Sequence, residues 1–212
     1  MEKTSDSLLL IFTRNPELGK CKTRLAATIG NEAALEVYKF LLAHTATITS
    51  ELDVNKQVYY SEKIWQEDVW PNTVFSKKLQ QGADLGARMH HAFQEGFEAG
   101  YKKIIVIGSD MYDLSKEDLE TAFSTLEQHD FVVGPAKDGG YYLLGMKKLR
   151  STLFENKAWG TASVLSDTLT SIENENFTLL SVKNDIDLYE DIREIDAFEP
   201  FIEHIKNDTG TT

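Results

Sequence analysis

Four cations, Arg14, Lys20, Lys22 and Arg24, fall within eleven residues of this chain, opposed there only by Glu17. Lysine and arginine give charge-assisted hydrogen bonds to phosphate oxygens, and Gly19 in their midst permits close backbone approach. The cluster follows the apolar run Leu8-Leu9-Leu10-Ile11-Phe12 and precedes a segment that reads as a helix from Lys22 or Thr23 to Gly30. Free backbone N–H groups at such a junction add to the attraction for an anion. The segment has two readings, a solvated basic turn and a phosphate cradle; its place at the carboxyl end of a first strand, where α/β sheets bind ligands, favours the cradle. Familiar phosphate motifs fail here. A Walker A loop ending in Gly19-Lys20 needs glycine at position 14 and Ser or Thr at 21, which hold Arg and Cys. Gly19 also stands alone where a dinucleotide fingerprint needs three glycines. Cys21 has no base beside it in the sequence and reads as incidental.

Carboxylates form the second group. Asp110 follows the β-branched run Ile104-Ile105-Val106-Ile107, so it is expected at the carboxyl end of a buried strand, where one or two carboxylates plus waters can hold a divalent cation on a nucleotide's phosphates. The alternative, a helix cap, is already supplied by Ser115 and Asp118. Asp138-Gly139-Gly140 reads as a type I′ hairpin turn, or as a loop whose carboxylate orients or deprotonates an acceptor hydroxyl. Asp187-Leu188-Tyr189-Glu190 reads as a capping box. Trp159 is either packed or an acceptor platform, and His90-His91 point to adjacent helix faces and are given no role.

Those residues need a frame to converge, and hydrophobic periodicity supplies one. Strands are expected at Ser7–Thr13, Gln57–Tyr60, Thr73–Leu79, Ile104–Ile107, Phe131–Val133, Tyr141–Met146 and Thr178–Val182. Helices are expected at Thr23–Gly30, Asn31–Thr49, Leu85–Ala99, Ser115–Gln128, Thr161–Glu173 and Leu188–Asp196, with a last turn ending near Lys206. Alternating strands and helices predict an α/β fold, three layers around a mostly parallel sheet. Residues 1–206 read as one domain and 207–212 as a flexible tail.

Composition narrows the partners. The chain has 212 residues, with 34 Asp+Glu against 22 Lys+Arg and a net charge of −12. That balance argues against nucleic acid and anionic membranes as partners, because both attract a basic field. A single cysteine excludes an internal disulfide and a cysteine zinc cage. The early apolar run is too short for a signal segment or a membrane span, so a cytoplasmic protein is expected.

Several motifs together resemble a known family. Gly19-Lys20-Cys21-Lys22-Thr23-Arg24-Leu25, Gln80-Gln81-Gly82 with Asp84-Leu85-Gly86-Ala87-Arg88-Met89, Gly108-Ser109-Asp110-Met111-Tyr112, Gly134 to Gly145 and Asp185-Ile186-Asp187 occur in the order found in a bacterial group of candidate glycosyltransferases. That group belongs to the nucleotide-diphospho-sugar transferase superfamily, with the GT-A fold, and is related to 2-phospholactate and molybdenum-cofactor guanylyltransferases. Tyr112 departs from the group's usual proline. The resemblance implies a Mg²⁺- or Mn²⁺-dependent transferase acting on a nucleotide donor and a small acceptor. Gly19, Lys20, Lys22, Thr23 and Arg24 would bind phosphate, and Gln80, Gly82 and Arg88 would line the base or ribose pocket. Asp110 and Asp187 would hold the metal, with Asp185 behind them, and Asp138 and Lys22 would be catalytic. Glycosyl transfer, nucleotidyl transfer to a phosphorylated acceptor, and a non-catalytic nucleotide-binding protein all fit that apparatus.

Overall fold

The structure, a computed structural model, describes residues 5–208. Seven strands form one sheet: β1 (Ser7–Thr13), β2 (Asn55–Tyr60), β3 (Ser76–Leu79), β4 (Lys103–Ile107), β5 (Phe131–Pro135), β6 (Tyr141–Met146) and β7 (Phe177–Leu179). The order across the sheet is β3-β2-β1-β4-β6-β5-β7. All neighbours run parallel except β6, which is antiparallel to both β4 and β5. Six α-helices accompany it: α1 (Thr23–Ile29), α2 (Asn31–Ser50), α3 (Leu85–Glu98), α4 (Lys116–Gln128), α5 (Val164–Thr170) and α6 (Glu199–Asp208).

Leu8, Leu9, Leu10 and Ile11 are all fully buried. Leu9 and Ile11 pack with Tyr38 and Leu42 of α2 and Leu119 and Phe123 of α4. Leu8 and Leu10 pack on the other face with Met89, Ala92 and Phe93 of α3. Both faces are covered, which is why the strand shows an apolar run and no alternation. The expected three-layer α/β/α arrangement around a mostly parallel sheet is therefore the observed one. A satellite cluster joins Leu25 and Ile29 of α1 and Val37 and Leu41 of α2 to Ile186, Ile192, Phe198 and Ile202 near the C-terminus.

Three expectations are corrected. Leu188–Asp196 is not an α-helix: it holds a 3-10 turn at Tyr189–Asp191, followed by a second at Asp196–Phe198. Ile186, Ile192 and Phe198 are all buried at a spacing of six, which an α-helix would rotate by about 240°, so an irregular path is needed to bury all three. The hairpin between β5 and β6 is not type I′. That turn needs positive φ at two central residues, yet Gly139 (φ 90) has it and Asp138 does not. Ala136 N–H donates to Gly140 O at 3.0 Å, giving a three-residue loop whose last member is left-handed. The C-terminal helix runs to Asp208, past the expected boundary at 206, and residues 209–212 of the expected tail lie outside the described residues.

Candidate active-site cleft

The chain leaves β1 toward β2 on one side, while β4 pairs with β1 on the other. Such a switch point opens a crevice at the carboxyl ends of the strands. A cleft of about 940 Å³ lies there. The loop after β1 supplies Arg14, Lys20 and Lys22 to its wall, the first turn of α1 supplies Thr23 and Arg24, the segment after β4 supplies Asp110, and the C-terminal segment supplies Asp187. Gln80 and Arg88 also line it, from the end of β3 and the first turns of α3.

Within the cleft the cations meet the carboxylates. Lys22 Nζ lies 2.8 Å from Asp110 Oδ2, with the lysine side chain 7% exposed and the aspartate 38%. Arg24 pairs with Asp187. Burial disfavours the Lys22 charge, but Asp110, with Asp187 and Asp185 behind it, more than offsets this and raises its pKa. Burial likewise works against the Asp110 carboxylate, and the Lys22 ammonium prevails and lowers its pKa. Lys22 stands at φ 48, ψ 46, just before α1. A left-handed non-glycine residue costs roughly 1–2 kcal/mol, and this backbone turn directs the side chain across to Asp110. The expected dipole contribution is small, since α1 has only seven residues; side-chain charge dominates. Lys20 is 59% exposed and pairs with Glu17 at 2.7 Å. Gly19 (φ 73) shapes the preceding turn and does not itself line the cleft.

Asp187 is not the helix cap that its sequence suggests. Asp191 Oδ2 accepts the N–H groups of Asp187 at 3.0 Å and Leu188 at 2.7 Å, leaving the Asp187 carboxylate to face Arg24. The segment is anchored further by Lys183, whose Nζ reaches Asp118 at 2.8 Å and Asp113 O at 2.8 Å. Asp185 is half-buried; burial and then the nearby Asp138 and Asp110 charges raise its pKa.

Gln80 ties the elements together. Its amide donates to Thr13 O at 3.1 Å and Tyr59 O at 3.0 Å, and its Oε1 accepts from Arg88 at 3.3 Å. Gly82 lies under the first turn of α3, where an added Cβ would come within 2.6 Å of Arg88 N; its carbonyl accepts from Arg88 Nε at 3.2 Å. Gln80, Gly82 and Arg88 are thus one connected wall, with Gly82 behind it.

Sequence reasoning missed the polar floor. Tyr38 OH accepts from Arg14 N at 3.0 Å and lies 3.3 Å from Thr13 Oγ1, while Ser109 Oγ donates to Thr13 Oγ1 at 3.1 Å. Asn15, 4% exposed, accepts from Glu62 and Lys63 N–H and donates to Lys63 O. A polar residue ending an apolar strand, as Thr13 does, was the available signal. Cys21 is buried, burial raises its pKa, and its Sγ donates to Asn15 O at 3.3 Å, in keeping with an incidental role.

Asp138 is apart from this cleft. It borders a second pocket of about 250 Å³ that also includes Trp159 and shares Phe12, Leu85 and Gly108 with the first. Its Oδ1 accepts from Gly140 N at 2.8 Å. Tyr112 turns away from both, with its ring 4.9 Å from that of Phe198 and 5.9 Å from that of Phe40. The residue that departs from the group's usual proline therefore belongs to the satellite core. His90 bonds Ser151 at 3.1 Å and has no place in the cleft.

The profile of a family described as uncharacterized protein conserved in bacteria, DUF2064, matches residues 44–161. The chain belongs to DUF2064. The DUF2064 match includes Gln80, Gly82, Arg88, Asp110 and Asp138, while Lys22, Arg24 and Asp187 lie outside it. Among solved structures, a candidate nucleotide-diphospho-sugar transferase from Desulfovibrio desulfuricans G20 is 29% identical over 97% of this chain and 96% of its own, with a TM-score of 0.84. A cytidylyltransferase from Leptospira borgpetersenii serovar Hardjo-bovis is 15% identical, covering 97% and 95%, with a TM-score of 0.58. The inositol-1-phosphate CTP transferase from T. maritima is 12% identical, covering 97% and 98%, with a TM-score of 0.55. This DUF2064 member thus has the nucleotide-diphospho-sugar transferase fold. No curated protein matches the chain. Among the described residues no helix is long and apolar enough to cross a membrane.

Proposed function

We propose that this protein is a transferase that uses a nucleotide donor and a divalent cation, and that the group it transfers is a sugar. One observation carries the reading: basic side chains of the β1–α1 loop and two carboxylates from distant segments face each other in a single cleft at the switch point of the sheet. The likeness to the Desulfovibrio protein supports the choice of a nucleotide-sugar donor.

The donor set suits a hard cation. Among the described residues no three His, Cys, Asp or Glu side chains gather to cage a metal. Mg²⁺ and Mn²⁺ on nucleotides do not require a cage, since one or two carboxylates suffice when phosphates and water complete the shell. Asp110 and Asp187 would hold the ion, with Asp185 shaping the field behind them. When bound, the ion neutralises charge on the donor phosphates and on the departing diphosphate.

The remaining chemistry belongs to the chain. Lys22 and Arg24 exchange their carboxylate partners for phosphate oxygens, holding the diphosphate as negative charge develops on it. Gln80 and Arg88 set the wall against which the nucleoside rests. The acceptor hydroxyl oxygen bonds to the sugar C1 as its proton passes to the Asp138 carboxylate. The C1–O bond to the diphosphate breaks, and its electron pair leaves with the nucleoside diphosphate.

Nucleotidyl transfer, as in the guanylyltransferases noted above, is the second reading. It is favoured by the further cations Arg14, Lys20 and Arg88 in the cleft wall, which suit a triphosphate. In that reaction an acceptor phosphate oxygen attacks the α-phosphorus and pyrophosphate leaves. Incubation with nucleotide-sugars and with nucleoside triphosphates, each with Mg²⁺ or Mn²⁺ and an acceptor panel, separates the two. Release of nucleoside diphosphate is the expected result, and acceptor-dependent pyrophosphate release overturns the glycosyl reading.

A further inference from the structure

The second pocket has a chemistry opposite to that of the cleft it adjoins. Phe12, Met89, Val106, Tyr141, Trp159 and Val164 supply its apolar wall, and among the described residues no lysine or arginine lines it and its one charge is the Asp138 carboxylate. Tyr142 also borders the pocket, but its side chain packs on the opposite face of the sheet, where its hydroxyl donates to Ser181 O at 3.1 Å. The Tyr141 hydroxyl points to Met89 Sδ at 3.7 Å, and a thioether is a weak acceptor, so this donor can turn to a ligand oxygen with little loss.

From this wall we infer that the pocket binds the acceptor, and that the acceptor is a neutral or cationic small molecule carrying a ring-sized apolar group and a hydroxyl or amine, and is not a phosphorylated one. The inference rests on the transferase reading given above and adds the acceptor's class to it. Size sets the first limit. A pocket of about 250 Å³ exceeds the roughly 150 Å³ that accommodates benzene, so a six-membered ring with a short substituent fills it, and a long acyl chain does not fit inside. Charge sets the second limit. An anionic group entering here meets a carboxylate and no cation, whereas a hydroxyl or ammonium finds in Asp138 an acceptor for its proton or a partner for its charge. Shared walls set the third. Phe12, Leu85 and Gly108 border both spaces, so a ring seated in the pocket presents its polar substituent at the junction where the donor's reacting carbon would lie.

Trp159 reports on this site directly, because its indole lines the pocket and is one of only three in the chain. Benzyl alcohol, benzylamine and phenyl phosphate are titrated in turn while the indole N–H signals are followed by NMR, with Trp159→Phe assigning the resonance. Benzyl alcohol and benzylamine are expected to shift that signal and to bind at least tenfold more tightly than phenyl phosphate. Asp138→Asn, which keeps the oxygen that accepts the Gly140 N–H, is expected to shrink that gap to less than threefold. Equal binding of phenyl phosphate by the unaltered protein, or an undiminished gap in Asp138→Asn, overturns the inference. Calorimetry with UDP, GDP, CDP and ADP on the same protein keeps the two readings apart. Nucleotide binding without any ring binding refutes the pocket alone; ring binding in the expected order without nucleotide binding supports the pocket and refutes the donor.

Discussion

At the scale of single residues, Lys22 joins backbone strain to charge. Its left-handed backbone costs free energy that its ion pair with Asp110 offsets. Two substitutions separate the contributions. Lys22→Ala keeps the strain, loses the ammonium and leaves Asp110 without its one lysine hydrogen bond. Breaking a fully buried pair costs about 3–5 kcal/mol; because Asp110 is 38% exposed, a loss of about 2 kcal/mol is expected in urea unfolding. Lys22→Gly loses the same pair but adopts φ 48 freely, and should be about 1 kcal/mol more stable than Lys22→Ala. Equal stability of the two variants would mean that the backbone there is unstrained. Asp185 carries the opposite sign: burial and its acidic neighbours make its ionised form unfavourable. Its folded pKa is raised, so it detracts from stability fully above that pKa, and the penalty fades as pH falls from there to the unfolded value. Asp185→Asn is therefore expected to raise the melting temperature at neutral pH, within about 1 kcal/mol.

Element by element, the sequence is most readable where a segment is defined by its own neighbours. β1, β4 and β6 follow from apolar runs, and the α4 capping box from Ser115 and Asp118, which the structure reproduces. Leu188–Asp196 is irregular where its own spacing predicts a helix because its order comes from distant partners: Lys183 just before it on Asp118, and a hydrophobic spacing fitted to the satellite core. Capping moved from Asp187 to Asp191 for the same reason. Pairing of Lys22 with Asp110 was equally invisible, since 88 positions separate them and only the β1–β4 pairing brings them together. The residue types of the cleft could thus be read, but not which charge meets which. Asp118 links cap and anchor and gives a pH test. Burial raises its pKa, but Lys183 and the Ser115 cap outweigh that and lower it. The stability it confers is present above its unfolded value of about 3.9 and is lost as pH falls through the lower folded value. Asp118→Asn should lose about 1–2 kcal/mol at pH 7 and flatten the acid limb of the stability curve; an unchanged acid limb would assign that slope to other carboxylates. At the hairpin tip, Gly139 has φ 90, and a Cβ there would meet Ala162 O at 2.4 Å. Gly139→Ala should cost about 2 kcal/mol and displace Asp138, so transfer activity should fall more than nucleotide affinity does. Equal losses in both would place Asp138 in nucleotide binding.

On the scale of the whole molecule, a chain of net charge −12 gathers basic side chains at one loop and sets carboxylates opposite them. Global acidity favours neither polyanions nor anionic membranes, while under the proposed function the local reversal of sign would accommodate one compact anion bound together with a cation. That balance is the central claim, and calorimetric titration of nucleoside diphosphates with Mg²⁺ or Mn²⁺, repeated in EDTA and on Asp110→Asn, tests it most directly. The predicted result is that one diphosphate binds at least tenfold more tightly with metal than with chelator, and that Asp110→Asn abolishes the difference. Binding of equal strength with and without metal, or no binding of any nucleotide by the unaltered protein, would contradict it.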